Sequence, residues 1–302
     1  MKYYNIKYII SSKLEHLSVI NTLENLKKEK KIKIIYINND ELGNIKLNKL
    51  KKILKSKTNY NNNILISIMY INNEIGNINN INKIGKLCIK YNVLFHSDFV
   101  QYVGHYKIDV NKIYCNYFTV SAHKFYGPLG IGFVYIKTGS YLKKFITGGY
   151  QEQEIRSGTE NLYGIVCMYK ALKIFYLRYN YEKKYIMNLK KYCIKLLNNN
   201  IKDIKYNGLS NNIKLSSYNI LNIRLPIKDE LLHIKLDLKR IIISKGSSCY
   251  NNNDSHVIKN ILNNKEYKKT TSIRISFSIF NKKKDIKSLV KILKKIIKKN
   301  KK

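Results

Sequence analysis

Three short segments of this sequence carry side chains that often take part in covalent and acid–base chemistry. The first, F-H-S-D-F-V-Q, holds Asp98 and Gln101. The second, S-A-H-K-F-Y-G-P-L-G-I-G, holds Ser121, His123 and Lys124. The third, G-G-Y-Q-E-Q-E-I-R-S-G-T-E-N, holds Thr159. All three fall where predicted strands end, and in α/β folds ligands bind beyond the carboxyl ends of the strands.

An aspartate at the end of one strand and a lysine at the end of a later one suit pyridoxal phosphate (PLP) chemistry. That cofactor needs a lysine for its Schiff base, an acid that keeps its pyridine nitrogen protonated, and donors for its phosphate. Taken singly, each residue has an ordinary alternative. Lys124 could be a solvated lysine, Asp98 a cap at a strand end, and His123 a structural histidine in the core. Their order and context favour a joint site.

The segment S-A-H-K-F-Y-G-P-L-G around Lys124 resembles the cofactor-lysine segment of cysteine desulfurases of the nitrogen-fixation and iron–sulfur-assembly type, which have the class V aminotransferase fold. Five further segments agree in the same order: S-K-L-E-H (Ser12–His16), S-I-M-Y-I-N-N-E-I-G (Ser67–Gly76), R-S-G-T-E-N (Arg156–Asn161), S-K-G-S-S-C (Ser244–Cys249) and I-R-I-S-F (Ile273–Phe277). The resemblance therefore covers nearly the whole chain, from about Ser11 to Phe277.

The resemblance implies roles for the residues that would touch the reacting atoms. Lys124 would form the Schiff base and then move protons, and Asp98 would pair with the pyridinium nitrogen. His16 would stack on the ring and handle protons. Arg274 would bind the substrate carboxylate, a task that suits its planar set of donors.

The resemblance also implies which residues hold the rest of the cofactor. Asn73 and Gln101 would hydrogen-bond the ring hydroxyl side, and Ser121 and His123 would bind the phosphate. Thr159 is similar to the residue that reaches a phosphate across a subunit interface, so a homodimer is implied.

Cys249 is the candidate nucleophile. The resemblance implies conversion of L-cysteine to L-alanine, with the sulfur held as a persulfide on Cys249 and passed to an iron–sulfur scaffold, tRNA thiolation or another acceptor. A thiolate with that task belongs in a partly exposed segment, and Gly246 and Asn251–Asn253 suit a flexible one. Cys249 and Arg274 lie 25 positions apart (274 − 249), which resembles the long-loop class. We expect the other four cysteines to be buried apolar residues.

The elements that must position these residues alternate in the first half of the chain. Predicted strands are Ile6–Ser11, Lys31–Ile37, Ile64–Ile71, Val93–His96, Tyr117–Val120 and Gly132–Lys137, and predicted helices are Glu15–Lys28, Leu47–Leu54 and Ile81–Tyr91. Such alternation predicts a mostly parallel sheet with helices on both faces.

A long helical pattern from Gly164 to Leu197 leads to a second part of the chain, with predicted strands near Tyr218–Leu225, Ile241–Ser244 and Ser272–Phe277. Together with the resemblance, these patterns predict an α/β fold of the PLP-dependent transferase (aspartate-aminotransferase-like) type. A large PLP-binding domain would span residues 1–180, and a smaller α+β domain carrying Cys249 would span residues 181–302.

The chain is strongly basic, with 57 Lys and Arg against 19 Asp and Glu, a net charge of +38. A nucleic-acid or acidic-membrane partner is one interpretation. The lysines are spread over every predicted helix and loop, however, which favours compositional drift in an AT-rich genome and ranks nucleic-acid binding last. No apolar run approaches the ~20 residues of a membrane span. The cysteines show no C-x-x-C pairing for a metal or disulfides, so we expect the reducing cytoplasm of an AT-rich bacterium or an organelle.

The sequence departs from the family pattern at several positions. The family normally has, before the point where Met1 falls, a Gly-x-Thr-Glu turn that binds the cofactor phosphate; we expect Ser121, His123 and Thr159, or another polypeptide, to do this. Phe99 stands where the family places a small residue, and we expect its ring to crowd the cofactor. These departures leave open a non-catalytic relative or one part of a split enzyme. A selenocysteine lyase or an aminotransferase on the same fold is a further alternative.

Overall fold

A six-stranded sheet forms the larger part of the fold. The computed structural model describes residues 4–30, 32–57, 63–244 and 255–300. The strands lie in the order β2-β1-β3-β4-β5-β6 and comprise β1 (Tyr8–Ser12), β2 (Lys33–Ile37), β3 (Ile64–Ser67), β4 (Leu94–Asp98), β5 (Tyr117–Ser121) and β6 (Gly132–Ile136). Strands β1 to β5 pair in parallel and β6 is antiparallel to β5. The predicted mostly parallel sheet is confirmed.

Three helices connect the parallel strands: α1 (Leu17–Lys30), α2 (Leu47–Lys55) and α3 (Ile81–Lys90). The carboxyl ends of β1, β3, β4 and β5 therefore meet at one edge of the sheet. All five residues of β1 are buried, as is typical of a parallel strand covered on both faces. Helix α3 begins at Asn80, whose side chain accepts a hydrogen bond from the Lys83 backbone N–H at 3.0 Å.

Helix α4 (Leu162–Asn200) is 39 residues long and contacts both hydrophobic cores. Its first half packs Met168, Ala171 and Leu172 against the core of the large sheet. Its second half buries Leu189 and Cys193 in a separate core. The division into a large domain at residues 1–180 and a small domain at residues 181–302 stays a prediction.

The second core covers a three-stranded antiparallel sheet in the order β7-β8-β9. Its strands are β7 (Lys205–Tyr206), β8 (Ile220–Leu225) and β9 (Thr271–Ser276), and its helices are α5 (Leu232–Asp237), α6 (His256–Ile261), α7 (Asn264–Lys269) and α8 (Lys283–Asn300). Helix α8 buries a stripe of apolar residues at Ile286, Leu289, Val290, Leu293 and Ile297. Burial of each such side chain contributes about 1.5–3 kcal/mol.

The strand predicted at Ile241–Ser244 is wrong. The Ile241 N–H bonds the Leu236 carbonyl in the turn after α5, and Ile242 is 88% exposed. Only Ser244 pairs with β9, through one antiparallel bridge to Arg274. Among the residues that the structure describes, no helix combines the length and the apolar character that crossing a membrane requires.

Candidate active site

Asp98 is the last residue of β4, at the carboxyl edge of the large sheet. Its Oδ1 accepts a hydrogen bond from the Val100 N–H at 2.8 Å. Burial raises the pKa of Asp98, while the Val100 N–H and the Lys124 ammonium lower it. The structure therefore brings the predicted acid and the predicted lysine into electrostatic contact.

Lys124 lies in a short 3-10 helix, Ala122–Phe125, immediately after β5. Its side chain is exposed in the single chain, and its charge acts on Asp98 and on His16. The neighbouring His105 ring hydrogen-bonds the Lys124 backbone, and burial lowers the pKa of His105 to about 4. His105 is not among the residues predicted from the sequence, because no motif in the chain distinguishes it from other histidines.

His16 follows β1 and is half-buried. Its Nδ1 lies 2.8 Å from the Ser18 hydroxyl. Burial lowers the pKa of His16 most, followed by the charges of Lys124 and His256. The structure thus places His16, Asp98 and Lys124 together, as predicted from the sequence.

Arg274 on β9 joins the small sheet to the turn after β3. Its Nη1 donates to the Asn73 carbonyl at 2.7 Å, and its Nη2 donates to the Ser244 hydroxyl at 3.1 Å. The Arg274 Nε and the Asn73 Oδ1 are buried without a hydrogen-bond partner. The predicted substrate-binding arginine and the predicted ring-binding asparagine are therefore neighbours, although 201 positions separate them.

The residues predicted to bind phosphate come from two segments of the chain. Ser121 ends β5 and is half-buried, and His123 is exposed beside Lys124. Thr159 lies in an exposed segment before α4. Gln101 is half-buried three positions after Asp98. Within one chain, Ser121 and His123 share the Lys124 turn and Thr159 does not.

The expectation that Phe99 crowds the cofactor is wrong. Its ring is fully buried and stacks on Phe118, with ring centroids 4.5 Å apart. Tyr70 and Tyr102 pack against it edge-on. Side chains alternate along extended backbone, so the Asp98 side chain at the end of β4 points away from this aromatic cluster.

Cys249 lies outside the described residues. Of the other four cysteines, none is in a disulfide; Cys88, Cys115 and Cys193 are buried as expected. Burial raises the pKa of Cys115 and of Cys193 to about 12, so both stay as thiols at neutral pH. Cys167 departs from the expectation, because it is exposed on α4.

The chemistry of this group of residues fits PLP. Asp98 is a partly buried carboxyl that the Lys124 charge favours in its ionised form. The orphaned Asn73 Oδ1 is an acceptor in need of a donor, which a ring hydroxyl supplies. Lys124 offers an amine at the same edge of the sheet.

Comparison with known proteins identifies the family. The class-V aminotransferase family model matches residues 5–289. Cysteine desulfurase IscS of Clostridium botulinum is 36% identical over 293 residues, which span 96% of this chain and 72% of that protein. The chain belongs to the cysteine desulfurases. A NifS-like protein from Rickettsia africae has the same fold, with a TM-score of 0.85 and 29% identity over 98% of this chain and 77% of that one.

Other relatives extend this family assignment. Cysteine desulfurase IscS of Dictyoglomus turgidum is 36% identical and covers 97% of this chain and 73% of its own length. A mitosomal cysteine desulfurase of Trachipleistophora hominis is 32% identical over 95% of this chain and 64% of that protein. Cysteine desulfurases are PLP-dependent, in agreement with the residues at the carboxyl edge of the sheet.

Proposed function

We propose that this chain converts L-cysteine to L-alanine and holds the released sulfur as a persulfide on Cys249. The observation that carries the proposal is that Asp98, Lys124 and His16 all follow strands at one edge of the sheet, where the Lys124 charge acts on both Asp98 and His16. When bound, PLP supplies an electron sink for the substrate carbon. In the overall reaction the substrate C–S bond breaks, an S–S bond forms on Cys249, and the thiol proton ends on the methyl carbon of alanine.

Three residues would do the acid–base work. Asp98 holds a negative charge for the pyridinium nitrogen. Lys124 binds the cofactor and then moves a proton at the substrate carbon. His16 has a lowered pKa, so it is neutral at pH 7 and able to accept a proton.

The described residues on either side of Cys249 both contact the candidate site. Ser244, five positions before it, exchanges backbone hydrogen bonds with Arg274. Ser255, six positions after it, donates from its hydroxyl to the Glu74 carboxylate. Arg274 would bind the carboxylate of the substrate.

We further propose a homodimer. Thr159 and the apolar side chains near it are exposed in the single chain, which suits a surface that a second copy covers. Thr159 would then complete the phosphate site of the partner. Sulfur would pass to an iron–sulfur scaffold or another acceptor in a reducing cytoplasm, and the four described cysteines are all free thiols.

Phe99 was one of the two departures behind the non-catalytic alternative. Its ring is buried in the core.

Replacing Cys249 tests the proposal directly. In Cys249→Ala we expect alanine formation from L-cysteine to stop while the visible band of bound PLP remains. In Lys124→Ala both the band and the alanine should be lost. Cys167→Ala is the matched control, an exposed cysteine outside the site, and should behave like wild type. Alanine formation that persists in Cys249→Ala would overturn the assignment of the nucleophile.

A further inference from the structure

Helix α6 packs directly behind the segment that carries His16. Val257, Ile258 and Ile261 on α6 form a buried cluster with Leu14 and Ile75. Leu14 lies two positions before His16, and Ile75 lies in the turn that contains Asn73. An apolar contact therefore joins α6 to two segments of the candidate site.

Hydrogen bonds at the start of α6 accompany this apolar packing. The Ser255 hydroxyl accepts from the Ile258 N–H at 3.0 Å, which caps the helix, and donates to the buried Glu74 carboxylate. The next residue, His256, has its Nε2 2.9 Å from the Glu15 carbonyl oxygen. A carbonyl only accepts, so the Nε2 must carry the proton and donate it.

The same hydrogen bond determines the state of the other ring nitrogen. In the neutral ring with a protonated Nε2, the Nδ1 is an acceptor. This Nδ1 is buried and has no hydrogen-bond partner. Among the residues that the structure describes, the hydrogen bond of this ring is therefore the one that its Nε2 makes with the Glu15 carbonyl.

We propose that His256 is a positioning residue for His16, acting through the backbone of Glu15. This inference rests on the proposed function, in which His16 contacts the cofactor ring. Glu15 and His16 share a peptide bond, so a hydrogen bond that restrains the Glu15 carbonyl restrains the direction in which His16 leaves the backbone. The Ser18 hydroxyl also restrains the His16 ring, because it lies 2.8 Å from Nδ1.

No pattern in the sequence predicts the hydrogen bond between His256 and Glu15, because 241 positions separate the two residues. The contact also joins α6, a helix that follows Cys249 in the sequence, to the segment between β1 and α1 that carries His16. A residue with this role affects the orientation of the His16 side chain without contacting the substrate.

Two side-chain replacements separate donation by Nε2 from any role of Nδ1. Glutamine places an N–H donor near the position of the histidine Nε2, whereas asparagine places one near the position of Nδ1. In His256→Ala and His256→Asn we expect the kcat for alanine formation to fall by up to about a hundredfold, the cost of a small misplacement at a reacting centre. His256→Gln should recover most of the activity. The circular dichroism of the bound PLP band should change in the Ala and Asn variants and return in Gln.

A nuclear magnetic resonance measurement tests the contact without activity or cofactor. The chain has six histidines, so ¹⁵N-histidine spectra of the apoprotein are simple to assign by substitution. We expect His256 to show a protonated Nε2 and a bare Nδ1, and the His16 signals to shift in His256→Ala but not in His233→Ala. His233 is the matched control, a histidine on α5 whose Nδ1 is also buried and unpartnered.

The outcomes distinguish this inference from the proposed function. If wild type makes alanine and His256→Ala matches it in kcat and in the PLP spectrum, the inference is wrong and the function stands. Equal loss in the Gln and Asn variants would also overturn it, since a donor at Nε2 would then not suffice. If wild type makes no alanine, the function fails, and the His16 shifts still decide whether His256 positions that residue.

Discussion

Burial and one lysine set the protonation states of the site residues. Burial raises the pKa of Asp98, and the Lys124 charge and the Val100 N–H oppose that shift. Burial and Lys124 both lower the pKa of His16. One ammonium group thus favours a charged acid and a neutral histidine together, which is the pair that PLP chemistry uses.

Asp98→Asn should uncouple cofactor binding from catalysis. Asparagine keeps the shape of the side chain and the acceptor for the Val100 N–H but removes the negative charge. We expect the kcat for alanine formation to fall by about 10²–10³-fold, the usual cost of removing one electrostatic contact at a reacting centre. Steady-state kinetics with added PLP measure this. Asp109→Asn, which alters an exposed cap of a short 3-10 helix, is the control, and equal effects of the two changes would contradict the role of Asp98.

At the scale of elements, helix α4 holds the loop before β8 through a buried lysine. Lys190 is fully buried and donates from Nζ to the Ser216 hydroxyl at 2.8 Å and to the Ser217 carbonyl at 2.6 Å. Ser217 in turn donates its N–H to the Gly76 carbonyl at 2.8 Å, in the turn that contains Asn73. Burial lowers the pKa of Lys190 to about 7.

Lys190 should make the stability of the fold depend on pH. The ordinary lysine pKa is 10.5, so between about pH 7 and that value the unfolded chain binds more protons than the folded one. The free energy of unfolding therefore rises with pH in this window, by up to about 1.4 kcal/mol per pH unit. In Lys190→Met we expect the contribution of Lys190 to the slope of the unfolding free energy against pH to disappear. Urea denaturation from about pH 7 to 8.5, below the range where tyrosines titrate, measures it. Lys191→Met, at an exposed position on the same helix, should keep the wild-type slope, and parallel profiles for both variants would contradict the prediction.

Gly104 lets the loop after β4 approach the segment that carries Lys124. Its φ is +78°, and a Cβ added there would collide with the Cβ of Phe125. We expect Gly104→Ala to lower the free energy of unfolding by about 1–2 kcal/mol from backbone strain and by a further ~1–3 kcal/mol from overpacking.

Gly139→Ala is the matched control for that measurement. Gly139 has a similar φ of +82°, but a Cβ there meets nothing within 4 Å. The control should therefore show the backbone cost alone. If urea denaturation gives equal losses for the two variants, the contact with Phe125 contributes nothing.

At the scale of the whole molecule, the single chain exposes many large apolar side chains around the start of α4. Phe145 is 93% exposed and Tyr163 is 86% exposed. Leu162, Val166 and Tyr169 are also exposed, and their spacing places them on one face of the helix. An exposed apolar surface of this kind marks an interaction site.

The oligomeric state tests the proposed homodimer. Light scattering on wild type should give twice the 35.6 kDa mass of the chain. Tyr163→Glu and Phe145→Glu place a charge on the exposed apolar surface, so we expect both to give monomers that also lose activity, because Thr159 no longer reaches the partner. Leu238→Glu, at a residue at the end of α5 that is 77% exposed, should stay dimeric. A monomeric wild type would contradict the proposal.

The sequence by itself determined the fold class and the identity of most candidate residues. Periodic apolar residues predicted β1 to β6 and α1 to α4 to within a few positions, because each pattern reflects which face of a single element is buried. The motifs around Lys124 and Asp98 are local, so their resemblance to one family is visible without coordinates. Cys249 lies outside the described residues and stays a candidate from the sequence alone.

The tertiary structure decided every feature that depends on contacts between distant segments. It placed the Phe99 side chain in the core, because side chains alternate along this segment and Asp98 points towards the site. It left Cys167 exposed on a helix whose apolar pattern predicted burial, and it reduced Ile241–Ser244 to a single bridge. The contacts of Arg274 with Asn73 and of His256 with Glu15 cross 201 and 241 positions. Such contacts arise from the packing of whole elements against one another, so the pattern of residues within a single element does not predict them.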